Sequence, residues 1–245
     1  MRSLTAQQIL QIWEIGQSQH PIDRALTLLC VACPNQSLEE LAALSIGQRD
    51  AYLLTLREMT LGSKIESYAE CSQCGERLEF TMNVGDIRVC EPISVVQQEY
   101  FLNWEDYQLR FRLPNSQDLA AVVGYQDVNM VRHIIGQRCV LQTKYHGDDL
   151  TDHNLPPALM SQLAAHIAEH DPQAEILLNL TCLACSHSWQ VLFDIVTFFW
   201  SELSHQAKRL LHEVHTLARY YGWGEVDILS MSQFRRQFYL DLVNS

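Results

Sequence analysis

The sequence has few basic residues and no long apolar run, and both shortages limit the possible functions. Lysine and arginine number 17 against 29 aspartates and glutamates, which gives a formal net charge of -12. Binding to nucleic-acid phosphates needs a positive field, so this balance argues against a general nucleic-acid-binding protein. The most apolar stretch, 191–200, is interrupted by Asp194 and is too short to span a bilayer, so no direct membrane insertion is expected.

The sequence also lacks the motifs of the common enzyme classes. It contains no GxSxG, no Walker loop, no GxGxxG and no paired carboxylate motif. His212 and His215 stand one residue closer than the histidines of the metalloprotease motif, which favours solvent-exposed histidines on a helix. The N-terminal residues lack the uninterrupted apolar segment and cleavage site of a signal peptide, which predicts a cytoplasmic location. No enzyme is expected.

Cysteine is well represented, with eight residues. In a reducing cytoplasm, paired Cys-x-x-Cys units favour metal binding over disulfides. Two such units, Cys71 with Cys74 and Cys182 with Cys185, are each bounded by strand-like alternation. Four thiolates satisfy a tetrahedral zinc ion and leave no position for water or substrate. The sequence therefore predicts a structural Zn2+ in a split zinc ribbon; the alternatives are four unliganded cysteines or two redox pairs.

The other cysteines do not fit a metal site. Cys30 and Cys33 form a third Cys-x-x-Cys unit, but it lies in an apolar helical stretch. A redox role would need a thiol of lowered pKa at a helix N-terminus. We expect small core residues at a helix end instead, and we expect Cys90 and Cys139 to be isolated core residues.

Hydrophobic periodicity divides the chain into helical ends, two ribbon halves and an insertion. The expected fold class is α+β, with helical N- and C-terminal regions around a split zinc-ribbon β element and a long α/β insertion. Residues 75–181 separate the cysteine pairs, far more than a ribbon loop needs, so the insertion must fold as its own module. The expected segments are 1–66 (N-terminal helical region), 67–90 (first ribbon half), 91–174 (inserted module), 175–200 (second ribbon half) and 201–245 (C-terminal helical region).

Helix-start signals add detail at the N-terminus. Ser3 or Thr5 is expected to cap the first helix, and Pro21 is expected to open the second. Ser37 and Glu40 have the spacing of a capping box.

Inside the insertion, alternation predicts a strand over 107–112. Ser116 is expected to cap a helix over 119–123. Residues 131–141 and 157–169 are expected to be helical.

The last helix carries a basic and aromatic group of residues in an otherwise acidic chain. Arg235 and Arg236 stand beside Phe234 and Tyr239, and Trp223 lies at the preceding corner. Both arginines are expected to be exposed to solvent. Arginine and aromatic residues are enriched at protein interfaces, so these five residues predict a docking surface. The alternative is an ordinary amphipathic helix packed on the N-terminal helices.

Several runs spread over nearly the whole chain carry a further pattern. They include Phe199-Trp200-Ser201-Glu202-Leu203, Tyr221-Gly222-Trp223, Ile228-Leu229-Ser230, Ile46-Gly47-x-Arg49-Asp50 and Arg110-x-Arg112-x-Pro114. In their order these runs resemble the T-even-phage-type baseplate hub assembly chaperone family. Members of that family occur in contractile phage tails and related contractile injection systems.

The resemblance implies a non-enzymatic structural or chaperone-like assembly protein of a contractile baseplate, with hub or wedge proteins as partners. It leaves open whether the protein stays in a phage-like particle or acts only in assembly. The alternative is a zinc-ribbon nucleic-acid-binding or transcription-associated protein. That function would need a basic ribbon face, whereas Glu70, Glu76 and Glu79 outnumber Arg77 on the expected strands.

Overall fold

Helices and strands alternate along the chain in a computed structural model that describes residues 1–89, 99–150 and 155–244. The helices are α1 (Ala6–Gly16), α2 (Pro21–Ala32), α3 (Leu38–Ala43), α4 (Ile46–Leu61), α5 (Val84–Ile87), α6 (Ser116–Ala120), α7 (Val128–Cys139), α8 (Pro157–His170), α9 (Ile195–Tyr221), α10 (Glu225–Ser230) and α11 (Gln233–Asn244). The strands are β1 (Lys64–Glu70), β2 (Arg77–Asn83), β3 (Tyr100–Trp104), β4 (Tyr107–Phe111), β5 (Val140–Tyr145), β6 (Asp148–Asp149), β7 (Leu177–Thr181) and β8 (Ser188–Leu192). The mixture confirms the expected α+β class.

Side-chain caps start the N-terminal helices where the sequence predicts them. Thr5 caps α1 in a capping box with Gln8, and Pro21 is the first residue of α2. Ser37 and Glu40 form the predicted capping box at the start of α3. These local signals fix the helix starts because each cap satisfies backbone N–H groups that have no partner inside the helix.

The long helix α9 organises the main core. It packs against α1, α2, α4 and α10, and it buries Phe199 and Leu203 completely or nearly so. It begins at Ile195, before the expected boundary at residue 201, because the Asp194 carboxylate accepts a hydrogen bond from the Val196 amide at 2.9 Å. Residues 195–200 therefore continue the C-terminal helix rather than the second ribbon half.

The insertion has a core of its own. Strands β3, β4, β5 and β6 form an antiparallel sheet in that order, and α8 packs on it through Leu159 and Leu163. Leu109 and Phe111 are buried on the sheet side of this core. A separate hydrophobic core is what a module of this length needs in order to fold.

Two expectations for the insertion were wrong. Asn115, not Ser116, caps α6, since the Asn115 side-chain oxygen accepts hydrogen bonds from the amides at 117 and 118, and α6 ends at Ala120. Helix α7 ends at Cys139 and the chain continues directly as β5, so the predicted helix over 131–141 runs too far. The branched and aromatic residues of β5 favour a strand once β4 offers an edge.

Two hairpins extend from the helical body, one before the insertion in the sequence and one after it. The first cysteine hairpin is β1 with β2, and the second cysteine hairpin is β7 with β8; each is an antiparallel two-stranded sheet. The buried guanidinium of Arg57 fixes the entry to the first hairpin by donating to the carbonyls of Gly62 (2.6 Å) and Lys64 (2.7 Å). Glu202 on α9 pairs with the same guanidinium at 2.6 Å. The first hairpin is thereby tied to the main core.

The cysteines outside the hairpins occupy apolar surroundings. Cys33 is buried at the C-terminal cap of α2, Cys30 is half-buried one turn earlier, and Cys139 is buried at the end of α7. Burial raises the pKa of the Cys30 and Cys33 thiols and raises that of Cys139 to about 12, the reverse of what a reactive thiol needs. Cys90 lies outside the described residues.

Candidate metal centre and docking surface

The turns at the tips of the two cysteine hairpins have the same backbone geometry. In the first, the Cys71 amide donates to the Glu76 carbonyl and the Gly75 amide donates to the Cys71 carbonyl, both at 2.9 Å. In the second, the Cys182 amide donates to the His187 carbonyl at 2.8 Å and the Ser186 amide donates to the Cys182 carbonyl at 2.9 Å. Each turn thus presents its two thiols on one side of a tight loop.

A left-handed residue follows each cysteine pair. Gly75 has a φ of 74° and Ser186 a φ of 60°. Glycine adopts this conformation freely, whereas serine pays a steric penalty for it. The second turn therefore holds a strained residue in a position that glycine occupies in the first, and something beyond local preference must stabilise it.

The tips of the two hairpins meet, and the four predicted cysteines come together. Their sulfur atoms all lie within 4.8 Å of one another. The Sγ atoms of Cys71 and Cys185 are 3.6 Å apart, and so are those of Cys74 and Cys182. Four thiolates bound to one zinc ion at about 2.3 Å would be about 3.8 Å apart. Four thiols at this spacing fit a tetrahedral metal ion, whose coordination sphere they would fill.

Protonation in this cluster shows why a cation suits it. Burial opposes ionisation of Cys71, but hydrogen bonds from the backbone amides of Cys74 and Gln73 lower its pKa to about 7. The amide of Glu76 favours the Cys74 thiolate, but the other three thiols of the cluster and burial together outweigh it, and the Cys74 pKa rises to about 12. Several thiolates cannot coexist here without a positive charge between them.

Contacts around the cysteines hold the two tips in register. The Ser72 hydroxyl lies 3.2 Å from Nε2 of His187, across the junction between the hairpins. The His187 ring stacks on Trp189 of β8, with centroids 5.8 Å apart. His187 thus supports the junction, and it does not belong to the cluster of four thiols.

At the C-terminal end the expectation for Arg236 was wrong. Its side chain is buried, with the residue only 4% exposed, and its Nε donates to a Glu213 carboxylate oxygen at 2.8 Å. A second donor, Nη1, reaches the Met231 carbonyl at 2.6 Å. The α9 helix presents Glu213 on its inner face, so Arg236 turns inward to neutralise it rather than pointing into solvent.

The other predicted docking residues divide into an inner and an outer group. Trp223 stacks on Tyr221 with ring centroids 4.4 Å apart, and Tyr239 packs edge-on against Trp223 at 4.8 Å. These rings join the corner after α9 to α11. Phe234 is 83% exposed and Arg235 is exposed beside it, with its guanidinium 5.8 Å from the Tyr239 ring centroid.

Exposed apolar residues continue along α11 at helical spacing. Phe234, Phe238 and Leu242 follow one another at intervals of four and are 83%, 56% and 53% exposed. Residues four apart lie on one face of a helix. We call this face, together with Arg235, the α11 outer face.

A group of metal-ligand residues that the sequence analysis missed lies at the end of α8. His166, Glu169 and His170 bring ligand atoms within 4.8 Å of one another. Two histidines at positions i and i+4 on a helix share one face, and this spacing was the signal that could have revealed them.

Comparison with protein families gives a match to the family described as T4 bacteriophage base plate protein, over residues 3–200. Comparison with curated proteins and comparison with solved structures gave none. The match covers most of the chain, so the chain belongs to this family of phage baseplate proteins. Membership confirms the resemblance seen in the sequence and indicates a structural baseplate protein that contacts other baseplate components. It favours a role without catalysis.

The family match ends at residue 200, which lies inside α9. The described residues include no helix that is both long enough and apolar enough to cross a membrane.

Proposed function

We propose that this baseplate protein is a non-enzymatic assembly or structural component whose two cysteine hairpins are locked together by one structural Zn2+. The observation that carries the proposal is the convergence of four thiols from two turns with matching backbone geometry. Four cysteine ligands suit zinc and leave no coordination position for a substrate. Cys71, Cys74, Cys182 and Cys185 would hold the ion, which would supply structural stabilisation and no catalysis.

The position of the metal gives it a mechanical role. The main core buries Ile65 and Val84 at the base of the first cysteine hairpin. It also buries Ile176 and Phe193 at the base of the second, so the thiols stand at the far ends of both hairpins. A bound ion would hold the tips of the two hairpins together, although residues 75–181 separate their cysteine pairs in the sequence. We infer the domain division accordingly: helical ends, two hairpin halves of one split zinc ribbon and an inserted α/β module.

We further propose that the α11 outer face docks onto a hub or wedge protein of the baseplate. Phe234 and Phe238 are large apolar side chains exposed to solvent, and Arg235 stands between them unburied. Exposed aromatics beside an arginine are the residue types that dominate interface hot spots. Trp223 and Tyr239 would contribute indirectly, because their ring contacts fix the orientation of α11.

The nucleic-acid alternative finds no support in the charges of the hairpins. On the first hairpin, Lys64 pairs with Glu66 at 2.5 Å and Arg77 pairs with Glu79 at 3.4 Å. Each cation is therefore matched by a carboxylate on the same strand. Phosphate binding needs an excess of positive charge, so we propose that nucleic acid is not a partner.

Metal analysis tests the zinc assignment. Purified protein should contain about one tightly held zinc per chain, and Cys182→Ser should lose it together with thermal stability, because binding and folding are coupled. Cys30→Ser with Cys33→Ser is the matched control and should keep the zinc. A metal-free protein with unchanged thermal unfolding would contradict the assignment.

The docking assignment needs a variant that leaves the buried ion pair intact. Phe234→Glu with Arg235→Glu changes only exposed side chains, so zinc content and the circular dichroism spectrum should stay as in the wild type. Co-purification with baseplate proteins and assembly of sheathed particles should be lost. Tyr68→Glu, an exposed aromatic on the first hairpin, is the control and should assemble. If the double variant assembles as well, the docking surface lies elsewhere.

A further inference from the structure

The end of α8 contains a second set of metal-ligand side chains, separate from the cluster of four cysteines. His166 and His170 are one helical turn apart, and Glu169 lies between them. Their ligand atoms all lie within 4.8 Å of one another. His166 is half-buried, and the other two residues are exposed.

The tautomer of His170 is fixed in the form that binds metals. Its Nδ1 lies 2.8 Å from the backbone carbonyl oxygen of His166. A carbonyl oxygen only accepts hydrogen bonds, so Nδ1 carries the proton and donates it. In the neutral ring Nε2 then holds the free lone pair. Protein metal sites commonly use this arrangement, in which one ring nitrogen donates to a carbonyl while the other binds the ion.

Ring contacts restrict both imidazoles. The edge of Tyr100 packs against His170 with centroids 4.7 Å apart. The rings of His166 and His170 are stacked, with centroids 6.0 Å apart and an angle of 18° between their planes. Near-parallel imidazoles on one helix face can each direct a nitrogen toward the same ion. Because these contacts already restrict the two side chains, less conformational entropy is lost when the ion binds.

We propose that His166, Glu169 and His170 form a second metal site, which takes a divalent ion of the Zn2+ type. Two imidazoles and one carboxylate are a donor set that zinc accepts, and three protein ligands leave a fourth position for water. This site therefore differs from the closed cysteine cluster. Because its ligands lie at the surface, the ion exchanges with solvent while the cysteine-bound ion does not.

The competing explanation is that His166 and His170 only stabilise the C-terminal end of α8. Histidines in a last helical turn interact favourably with the unpaired carbonyls there. The two explanations differ in one measurable quantity, the number of zinc ions bound per chain.

Calorimetric titration of ZnCl2 into tag-free protein that already holds one zinc would test the site. The wild type should bind one further equivalent, and His166→Asn with His170→Asn should bind none. His212→Asn with His215→Asn removes two exposed histidines of α9 and should retain the second equivalent. Circular dichroism should show all three proteins folded, since the replaced side chains are exposed or half-buried.

Cobalt separates the two sites independently. Co2+ added to the one-zinc protein should give the weak visible bands of nitrogen and oxygen ligation, without the ultraviolet charge-transfer absorption of cobalt thiolates. Glu169→Gln should weaken this binding and leave the first zinc in place. A wild type that takes up no second ion, or a His166→Asn/His170→Asn protein that binds it undiminished, would overturn the proposal. Loss of the first zinc alone would bear on the cysteine site only.

Discussion

The buried ion pair between α9 and α11 offers a quantitative test of the C-terminal fold. Arg236 and Glu213 are 4% and 8% exposed, and Nε of Arg236 lies 2.8 Å from the carboxylate. Arg209, on the same helix as Glu213, reaches the other carboxylate oxygen at 3.4 Å but is itself half-exposed. Arg236→Leu would remove the main counter-charge of Glu213 and leave the carboxylate buried.

The expected cost follows from this geometry. Breaking a buried pair by removing one partner costs about 3–5 kcal/mol, since the remaining charge has lost both its counter-charge and its hydration. Arg209 still faces the stranded carboxylate, so we expect the lower end of that range, about 3 kcal/mol. Replacing both partners with leucine removes the buried charge altogether, and such replacements are often close to neutral. The Glu213→Leu/Arg236→Leu protein should therefore be more stable than Arg236→Leu.

Urea unfolding at a fixed excess of zinc would measure these free energies, because the metal then contributes equally to every protein. Arg235→Leu is the matched control, one residue away and exposed, and should change stability by less than about 0.5 kcal/mol. Amide hydrogen exchange would locate the effect, with faster exchange in α11 than in α4. Equal stability of Arg236→Leu and Arg235→Leu would refute the buried pair, as would a double variant no more stable than Arg236→Leu.

Three further predictions concern the turns, a helix contact and pH. Exchanging the two left-handed residues should change stability in opposite directions, because only Ser186 is strained in the wild type. In thermal unfolding, Gly75→Ser should lower the free energy of unfolding by about 1 kcal/mol, whereas Ser186→Gly should leave it unchanged or raise it. Gly16→Ala should lower the thermal midpoint by the equivalent of about 1–3 kcal/mol, since its Cβ would lie 2.2 Å from the Trp200 ring. Burial raises the pKa of Asp50 to about 6, so its folded form binds a proton more readily than its unfolded form and wild-type stability gains as pH falls below 6. The unfolding free energy of Asp50→Asn minus that of the wild type should therefore fall from pH 7 to pH 5, and a constant difference would show that Asp50 does not titrate in this window.

Local signals in the sequence predicted the starts of the N-terminal helices and the cysteine turns. A capping box such as Ser37 with Glu40 depends on residues three apart, so tertiary structure has little power to change it. The same holds for a Cys-x-x-Cys turn, whose hydrogen bonds close within six residues. That the two turns would meet was predicted by a different argument, since a tetrahedral ion needs four ligands and each Cys-x-x-Cys unit supplies only two.

The burial of Arg236 could have been anticipated by combining two elements. Glu213 lies on the α9 face that also buries Leu210 and Leu217, which are three and four residues away. A carboxylate on an apolar helix face needs a cation, and a basic residue in the next long helix could supply it. Periodicity analysis of α11 alone could not show this, because the partner lies on another helix.

The two hydrophobic cores raise the question of which part of the fold depends on the metal. The strands of the cysteine hairpins are at most half-buried, apart from Ile65. Isolated two-stranded hairpins are marginal in water, whereas the main core around α9 and the insertion core each bury several large side chains. The metal should therefore matter most to the hairpins.

Removing the zinc with a chelator should show which parts of the fold depend on it. The main core already holds the bases of the two hairpins, so the ion has only to hold their tips together. Zinc contributes about 10–16 kcal/mol to folding in small zinc-finger peptides, which is ample for two hairpins that are marginal by themselves. Without it the thiols repel one another on ionisation and the strain at Ser186 has no compensation. We expect amides of β1, β2, β7 and β8 to exchange rapidly after zinc removal, while those around Phe199 and Phe111 stay protected. Simultaneous loss of protection in the hairpins and in both cores would instead mean that the metal stabilises the whole chain as one cooperative unit.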